Sequence, residues 1–339
     1  MKNWKIHLSF VFLIFASLLY FSEDNQPAAE ENGRQKPLKV GVSLYRGDDE
    51  FVSSIRHALE EEKLAMEKES NQKMTLKIMD AKNSQSIQNS QIDQLIRSDY
   101  DVIAVNMVDR TVASNIIYKA RQADIPIVFF NREPIQTDLI QWNQAFYIGS
   151  NAQQSGEMQG ELVLEQYRRA PETIDLNQDG KIQYVMLEGE EVHQDSLIRT
   201  EASIKTIVDG GIKVERLARG VGNWMRQPSK EFLNEWLKKY PNQIELVISN
   251  NDEMALGAIE AIREAPEGTV IPHIVGIDGT LEGLEAVDQG EMLGTVFSDP
   301  NKYAREILSL AEKVAKDVPL ETNDPYIWIQ HQLYRKIIE

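Results

Sequence analysis

From residue 38 onward, short apolar runs alternate with longer segments whose apolar residues recur at helical spacing. Leu38–Tyr45 reads as a strand and Phe51–Ser70 as a helix. Strands are also predicted at Met74–Met79, Val102–Val105 and Ile127–Phe130, with helices over Ile87–Arg97 and Val112–Ala123. A second series follows: helix Ser155–Arg169, strand Ile182–Leu187, helix Ser196–Asp209, strand Lys213–Leu217 and helix Lys230–Lys239. It closes with strand Glu245–Ser249, helix Glu253–Ala265, strand Ile274–Ile277, helix Leu281–Gln289 and strand Leu293–Phe297. This alternation predicts an α/β fold of two doubly wound parallel-sheet lobes. Ligands of such sheets bind beyond the carboxyl ends of the strands, so function is expected in the residues just after each strand.

The first residues follow another pattern. Lys2 and Lys5 precede the apolar run Leu8–Phe21, and Glu23 and Asp24 follow it. Residues 1–22 therefore read as a signal peptide or membrane anchor, and both place the body outside the cytoplasm. Pro27 spoils the cleavage site that Ala28-Ala29 would otherwise offer, which favours the uncleaved anchor. Residues 23–37 are polar, contain Pro and Gly, and read as a flexible tether.

Charge and composition narrow the function. The 339 residues carry a formal net charge of −17, which argues against a nucleic-acid partner and is compatible with cation binding. Cysteine is absent, which removes disulfides, zinc–thiolate sites, thiol nucleophiles and a lipid-modified cysteine. No phosphate-binding loop, dinucleotide fingerprint or nucleophile elbow is present. Adjacent acids such as Asp48/Asp49 and Glu190/Glu191 are ordinary solvated pairs in so acidic a chain. A binding protein, not an enzyme, is expected.

The strand ends carry a consistent chemistry. They present Asp48-Asp49-Glu50-Phe51, then Asn131, then His193, Asp195 and Arg199. Further along stand Asn250-Asn251-Asp252, Asp278, and Ser298-Asp299. Carboxylates, amides and guanidinium groups each grip two neighbouring hydroxyls of a polyol. Phe51 and Trp224 are suited to stack on the apolar faces of a sugar ring. Each residue also has a plain structural role open to it. Asp48 or Asp49 is a cap for the helix near Phe51, Asn131 a turn former, Asp278 a turn before Gly279, and Trp224 a core residue. Asp252 is expected to cap the next helix, which leaves Asn251 as the ligand candidate.

Asp175-Leu-Asn177-Gln-Asp179-Gly180-Lys181-Ile182-Gln183 matches most of a calcium loop, D-x-[DN]-x-[DN]-G-x5-E. The slot of the terminal Glu holds Met186, and a buried strand, not a helix, follows Gly180. The last carboxylate must come from elsewhere in the fold.

Together with VGVSLYRGDDEF, VFFNREP, DLNQDGKIQYVMLEGE, HQDSLIRT, IELVISNNDEMALGAIEA, VGIDGTLEGLEAV and GTVFSDPN, this loop marks a resemblance. From about Leu38 onward the chain resembles the bacterial periplasmic galactose/glucose-binding proteins, type I sugar-binding proteins of ABC transporters and chemotaxis. The resemblance implies a monosaccharide clamped between two lobes joined by a multi-strand hinge. Phe51 and Trp224 would sandwich the sugar, and Asp49, Asn131, His193, Asp195, Arg199, Asn251 and Asp278 would bond its hydroxyls. Asp175, Asn177, Asp179, the Lys181 carbonyl, Gln183 and Glu245 would hold a structural Ca2+. Glu245 opens an apolar strand, where an unpaired charge would be costly.

Residues 38–150 plus 299–335 are assigned to the N-terminal lobe, and 151–298 plus 336–339 to the C-terminal lobe. Ser298 stands where the family usually has Asn, so the sugar it implies is less defined than the fold. The chain stops at Glu339, shortly after the last hinge strand is expected to begin. The implied protein is a monomer that presents galactose or glucose to an ABC permease. The alternative is an anchored sensor that signals to a histidine kinase or chemoreceptor.

Overall fold

The computed structural model describes residues 36–70 and 72–336. The apolar N-terminal run, nearly all of the tether and the last three residues lie outside them. Among the described residues, no helix is long and apolar enough to cross a membrane.

Two six-stranded sheets are wound in the same way. The first contains β1 (Leu38–Leu44), β2 (Met74–Asp80), β3 (Val102–Val105), β4 (Ile127–Phe130), β5 (Ala145–Ser150) and β11 (Tyr326–Ile329), in the order β11-β5-β4-β3-β1-β2. The second contains β6 (Ile182–Glu188), β7 (Val214–Val221), β8 (Leu246–Ser249), β9 (His273–Asp278), β10 (Gly294–Phe297) and β12 (Gln332–Arg335), in the order β12-β10-β9-β8-β6-β7. All neighbours are parallel except β10 and β12, which are antiparallel.

The helices are α1 (Glu50–Ser70), α2 (Gln85–Arg97), α3 (Ala113–Gln122), the short α4 (Gln136–Leu139) and α5 (Ala152–Arg169). They continue with α6 (Gln194–Asp209), α7 (Arg226–Lys239), α8 (Asp252–Arg263), α9 (Leu281–Gln289) and α10 (Pro300–Ala315). The pleat sends alternate residues of each inner strand into opposite cores. In β3, Val102 and Ala104 join the core under α1 and α10, while Ile103 and Val105 join the one under α2 and α3. In β6, Val185 and Leu187 pack toward α7 and α8, while Ile182, Tyr184 and Met186 face α5 and α6. Strands covered on both faces must be apolar throughout, hence the unbroken runs in the sequence.

The sequence reading is extended by the short α4, by strands β5 and β11, and by helix α10. The last is capped by Asp299, whose side chain accepts from Asn301 N, with Pro300 in its first turn. The lobe boundary also moves. Residues 332–335 do not belong with the first sheet, because β12 pairs antiparallel with β10 from Gly294↔Arg335 to Phe297↔Gln332. The chain crosses between the sheets three times: after β5, after β10, and at Gln330-His331 between β11 and β12.

The expected cap of α8 is corrected too. Asn251 is the cap, its side chain accepting from Met254 N at 3.0 Å. Asp252, fully buried, binds across the lobe instead, accepting from Gly279 N (2.8 Å), Thr280 N (2.9 Å) and Thr295 Oγ1 (2.6 Å). Burial pushes its carboxyl up to about 7, against the pull of these donors. Replacing Asp252 by Ala leaves three donors without their partner and is expected to destabilise the second lobe by about 3 kcal/mol or more, measured by urea unfolding. Loss of less than about 1 kcal/mol would show that water replaces the carboxylate.

Candidate functional site

The strand ends of the two sheets meet around one cavity. It is small, about 40 Å³. Asp49, Phe51 and Asn131 line it from the first lobe. His193, Asp195, Arg199, Trp224, Asn251 and Asp278 line it from the second. Of the ten candidate sugar contacts, nine are therefore brought together. Ser298 is not among the lining residues. It is 2% exposed, and its Oγ makes no well-formed hydrogen bond, although the Tyr303 hydroxyl lies near. A side chain ending at one hydroxyl does not reach the cavity from the end of β10.

The structural roles weighed from sequence turn out to coexist with the lining role. Asp49 Oδ1 accepts from Val52 N at 3.0 Å in the first turn of α1, and its other oxygen accepts from the Tyr45 hydroxyl. Asn131 has a left-handed backbone (φ 61°), which turns the chain after β4 and holds its side chain at 3.0 Å from Asn106 Nδ2. Asp278 ends β9 at φ 117°. Trp224 (φ 65°) is 8% exposed and packs into the second-lobe core by one edge. Gly189 makes that placement possible, since a Cβ there would come within 2.2 Å of the indole.

Electrostatics divide the lining groups into donors and acceptors. His193 caps α6, its Nδ1 accepting from Asp195 N at 3.2 Å. Burial, reinforced by Arg132, Arg199 and Arg110, holds its imidazole well below the usual range. It is therefore neutral, and its Nε2–H is left to donate. Its ring meets Trp224 edge-on at 5.1 Å. Burial pushes the Asp195 and Asp278 carboxyls up, and Arg199 opposes the shift in both. Arg199 Nη1 donates to Asn250 O at 2.9 Å and lies 3.7 Å from Asp278 Oδ1, while its buried Nε has no partner. Phe51 faces the cavity from the first lobe, braced edge-on by Tyr303 at 5.7 Å. Fixed acceptors, fixed donors and two aromatic surfaces around a small cavity suit a neutral polyol.

Sequence reasoning missed three lining residues: Tyr45, Val52 and Arg132. Arg132 directly follows Asn131 at the end of β4, so the rule that selected its neighbour applied equally to it.

The second candidate site is at the other end of β6. Asp175 accepts from Asp179 N (3.1 Å) and Gly180 N (3.0 Å), Asn177 Oδ1 from Asp179 N (2.9 Å), and Asp179 from Lys181 N (3.0 Å). Gly180 supplies the left-handed turn at φ 81°. Asp179 also accepts from Gln183 Nε2, and Gln183 Oε1 from Asn177 Nδ2. Glu245, 1% exposed, reaches in from the start of β8. Its two oxygens accept from Asn177 N at 3.0 Å and Gln183 N at 2.9 Å. Met186, in the motif's Glu slot, is fully buried in the core. Lys181 points its ammonium out to Glu215.

Burial raises the Glu245 carboxyl, with Asp175 adding to the shift against the backbone donors. Among the described residues no three acidic or His side chains form a metal-holding group by themselves. Asp175, Asp179 and Glu245 each accept from backbone N–H groups of the loop.

Comparison with known proteins agrees with this geometry. Residues 40–317 match the sequence profile of the periplasmic binding protein domain. The chain is 37% identical over 279 residues to the D-galactose/methyl-galactoside binding periplasmic protein of Haemophilus influenzae, covering 82% of each chain. It is 30% identical to a putative rhizopine-binding protein of Rhizobium meliloti, over 88% of this chain and 90% of that one. Among solved structures it resembles an ABC transporter solute binding protein from Bacillus halodurans with bound myo-inositol. That match has a TM-score of 0.73 and 28% identity, over 89% of this chain and 95% of the other. These relatives are binding proteins, not enzymes. Fold, site and relatives agree: the chain belongs to the periplasmic binding proteins of type I, a family of extracytoplasmic sugar-binding proteins of ABC transporters.

Proposed function

We propose that the protein binds a galactose- or glucose-type monosaccharide in the cleft between its lobes and presents it to an ABC permease outside the cytoplasm. The observation that carries this reading is the convergence of nine strand-end residues from both lobes on one cavity, with Phe51 and Trp224 among them. Asp49, Asp195 and Asp278 accept from ring hydroxyls, and Arg199, His193 and Asn251 donate. Sugar contacting both lobes would shift an open–closed equilibrium that the permease reads. The hexose assignment is supported by the galactoside-binding relative, 37% identical to this chain. The alternative of an anchored sensor rests on the apolar N-terminal run, which lies outside the described residues, and no observation favours it.

A thermal-shift screen against galactose, glucose, xylose, arabinose, ribose and myo-inositol tests the reading. Galactose or glucose is expected to raise the melting temperature most, since a ligand at about 1,000 times its Kd adds about 4 kcal/mol of stability. A larger shift with a pentose or inositol would move the assignment to that class. In calorimetry, Trp224→Ala and Asp195→Ala are each expected to abolish tight binding while the protein remains folded. Wild-type affinity in either variant would sink the site assignment.

We also propose that the Asp175–Gln183 loop and Glu245 hold a structural Ca2+. A hard oxygen donor set suits this cation, and its charge would compensate Glu245 and Asp175, neither of which forms an ion pair among the described residues. The loop precedes β6 and the sugar residues follow it. Seven strand residues intervene, about 20 Å at the usual rise. Excess chelator is therefore expected to lower the melting temperature without changing sugar affinity. An unchanged melting curve would count against a bound ion.

A further inference from the structure

A charged contact crosses between the lobes at the rim of the cleft. Arg132 Nη2 and Glu190 Oε1 are 2.9 Å apart, with side chains 6% and 19% exposed. Arg132 follows β4 of the first lobe, and Glu190 lies in the loop between β6 and α6 of the second. The guanidinium is held on its own lobe in two ways. Nη1 donates to Val108 O at 3.1 Å, and the group stacks over the Tyr45 ring at 3.7 Å. Only its third contact reaches across.

Beside it, Gln194 Nε2 donates to Glu133 Oε2 at 3.0 Å, a second bond between the lobes, from the first residue of α6 to the loop after β4. Arg110 secures that loop, donating to Glu133 O at 2.9 Å and Pro134 O at 3.3 Å. On the other side His193 N donates to Glu190 O at 3.0 Å and Gly189 N to Asn250 Oδ1 at 3.1 Å, so both segments are braced within their own lobes and little ordering entropy is spent when they meet.

We propose that Arg132 and Glu190 form a latch that sets how tightly the lobes close, whichever polyol occupies the cleft. The latch rests on the reading of the cleft as a sugar site, and it deepens that reading. Lobe separation necessarily breaks the pair, so its energy belongs to the closed state alone. Arg132 lines the cavity but Glu190 does not, so removing Glu190 weakens the latch without deleting a side chain that faces the ligand. Sugar contacts then govern selectivity, while the latch scales all affinities together. Truncating one partner of a hydrogen-bonded charge pair acts mainly on dissociation.

The test is Glu190→Ala in the full chain. Affinity for every sugar the wild type binds is expected to fall by one common factor of about tenfold or more, through faster dissociation, with an unchanged ligand-free melting temperature. Glu190→Asp, which keeps the charge on a shorter arm, is expected to recover part of the loss. A sugar-independent readout separates this inference from the sugar reading. The chain has no cysteine, so spin labels on Tyr118→Cys and Leu281→Cys, 62% and 73% exposed, report one distance between the lobes. In the ligand-free protein, Glu190→Ala is expected to shift that distance toward longer values. Unchanged affinities, losses that differ from sugar to sugar, or an unaltered distance distribution would each overturn the latch. If the wild type binds none of the sugars, the sugar reading fails, and the distance measurement still decides the latch.

Discussion

Parallel winding is the constraint on which the site depends. In a parallel sheet every strand ends on the same edge, so each lobe collects its strand-end residues along one line. Both sheets follow the same strand order, and the three chain crossings turn those edges toward each other. The cavity is thus lined by residues at the strand ends, in the turns that follow them and in the opening turns of the next helices. Left-handed backbones at Asn131, Trp224 and Asp278 are part of this arrangement, because a chain leaving a strand must turn sharply there to aim a side chain into the cleft.

Charge in such a cleft is costly unless compensated. The lining acids and bases are interleaved: Arg199 lies by Asp278, Arg132 by Glu190 and Tyr45, and Asp195 lies in the field of both arginines. Burial still pushes Asp195 and Asp278 upward, so compensation is incomplete. The buried, unpartnered Arg199 Nε shows the same deficit on the donor side. A polyol supplies donors and acceptors on adjacent carbons and satisfies both signs at once.

Much of this was legible in the sequence because the signals are local. Apolar runs marked the strands, and the rule of strand ends picked out residues that the fold brings into contact. The link between the Asp175 loop and Glu245 comes from the family resemblance, and the cost of a lone carboxylate at the head of an apolar strand supports it. Of what escaped, Arg132 and helix α10, with its Asp299 cap and Pro300, also carry local signals, but the rest needed tertiary information. Strand β5 is six residues long, includes a Gly and follows a polar turn, so its pattern is weak. Asn251 and Asp252 are both good caps, and local pattern cannot rank them. The contacts of Asp252 with Gly279, Thr280 and Thr295 decide the matter from far along the chain. The placement of β12 is set by pairing with β10 and has no signature in residues 332–335 themselves.

The hinge and the sugar-facing wall are joined through one side chain. Tyr303, fully buried on α10 just past the second crossing, bonds Ser150 Oγ at 3.1 Å, next to the first crossing, and supports Phe51 edge-on. Its ring therefore touches the aromatic wall of the cleft while its hydroxyl holds two of the three crossings together. Close-packed side chains of this kind have few alternative arrangements and pass small displacements on instead of absorbing them. A sugar stacked on Phe51, as proposed, would act on the hinge through this buried tyrosine and so couple ring contact to lobe closure. Ser298 starts the second crossing beside that tyrosine, with Ser298 N donating to Asp278 O at 2.8 Å. A change there would act on the sugar site indirectly, by shifting the crossing under Asp278.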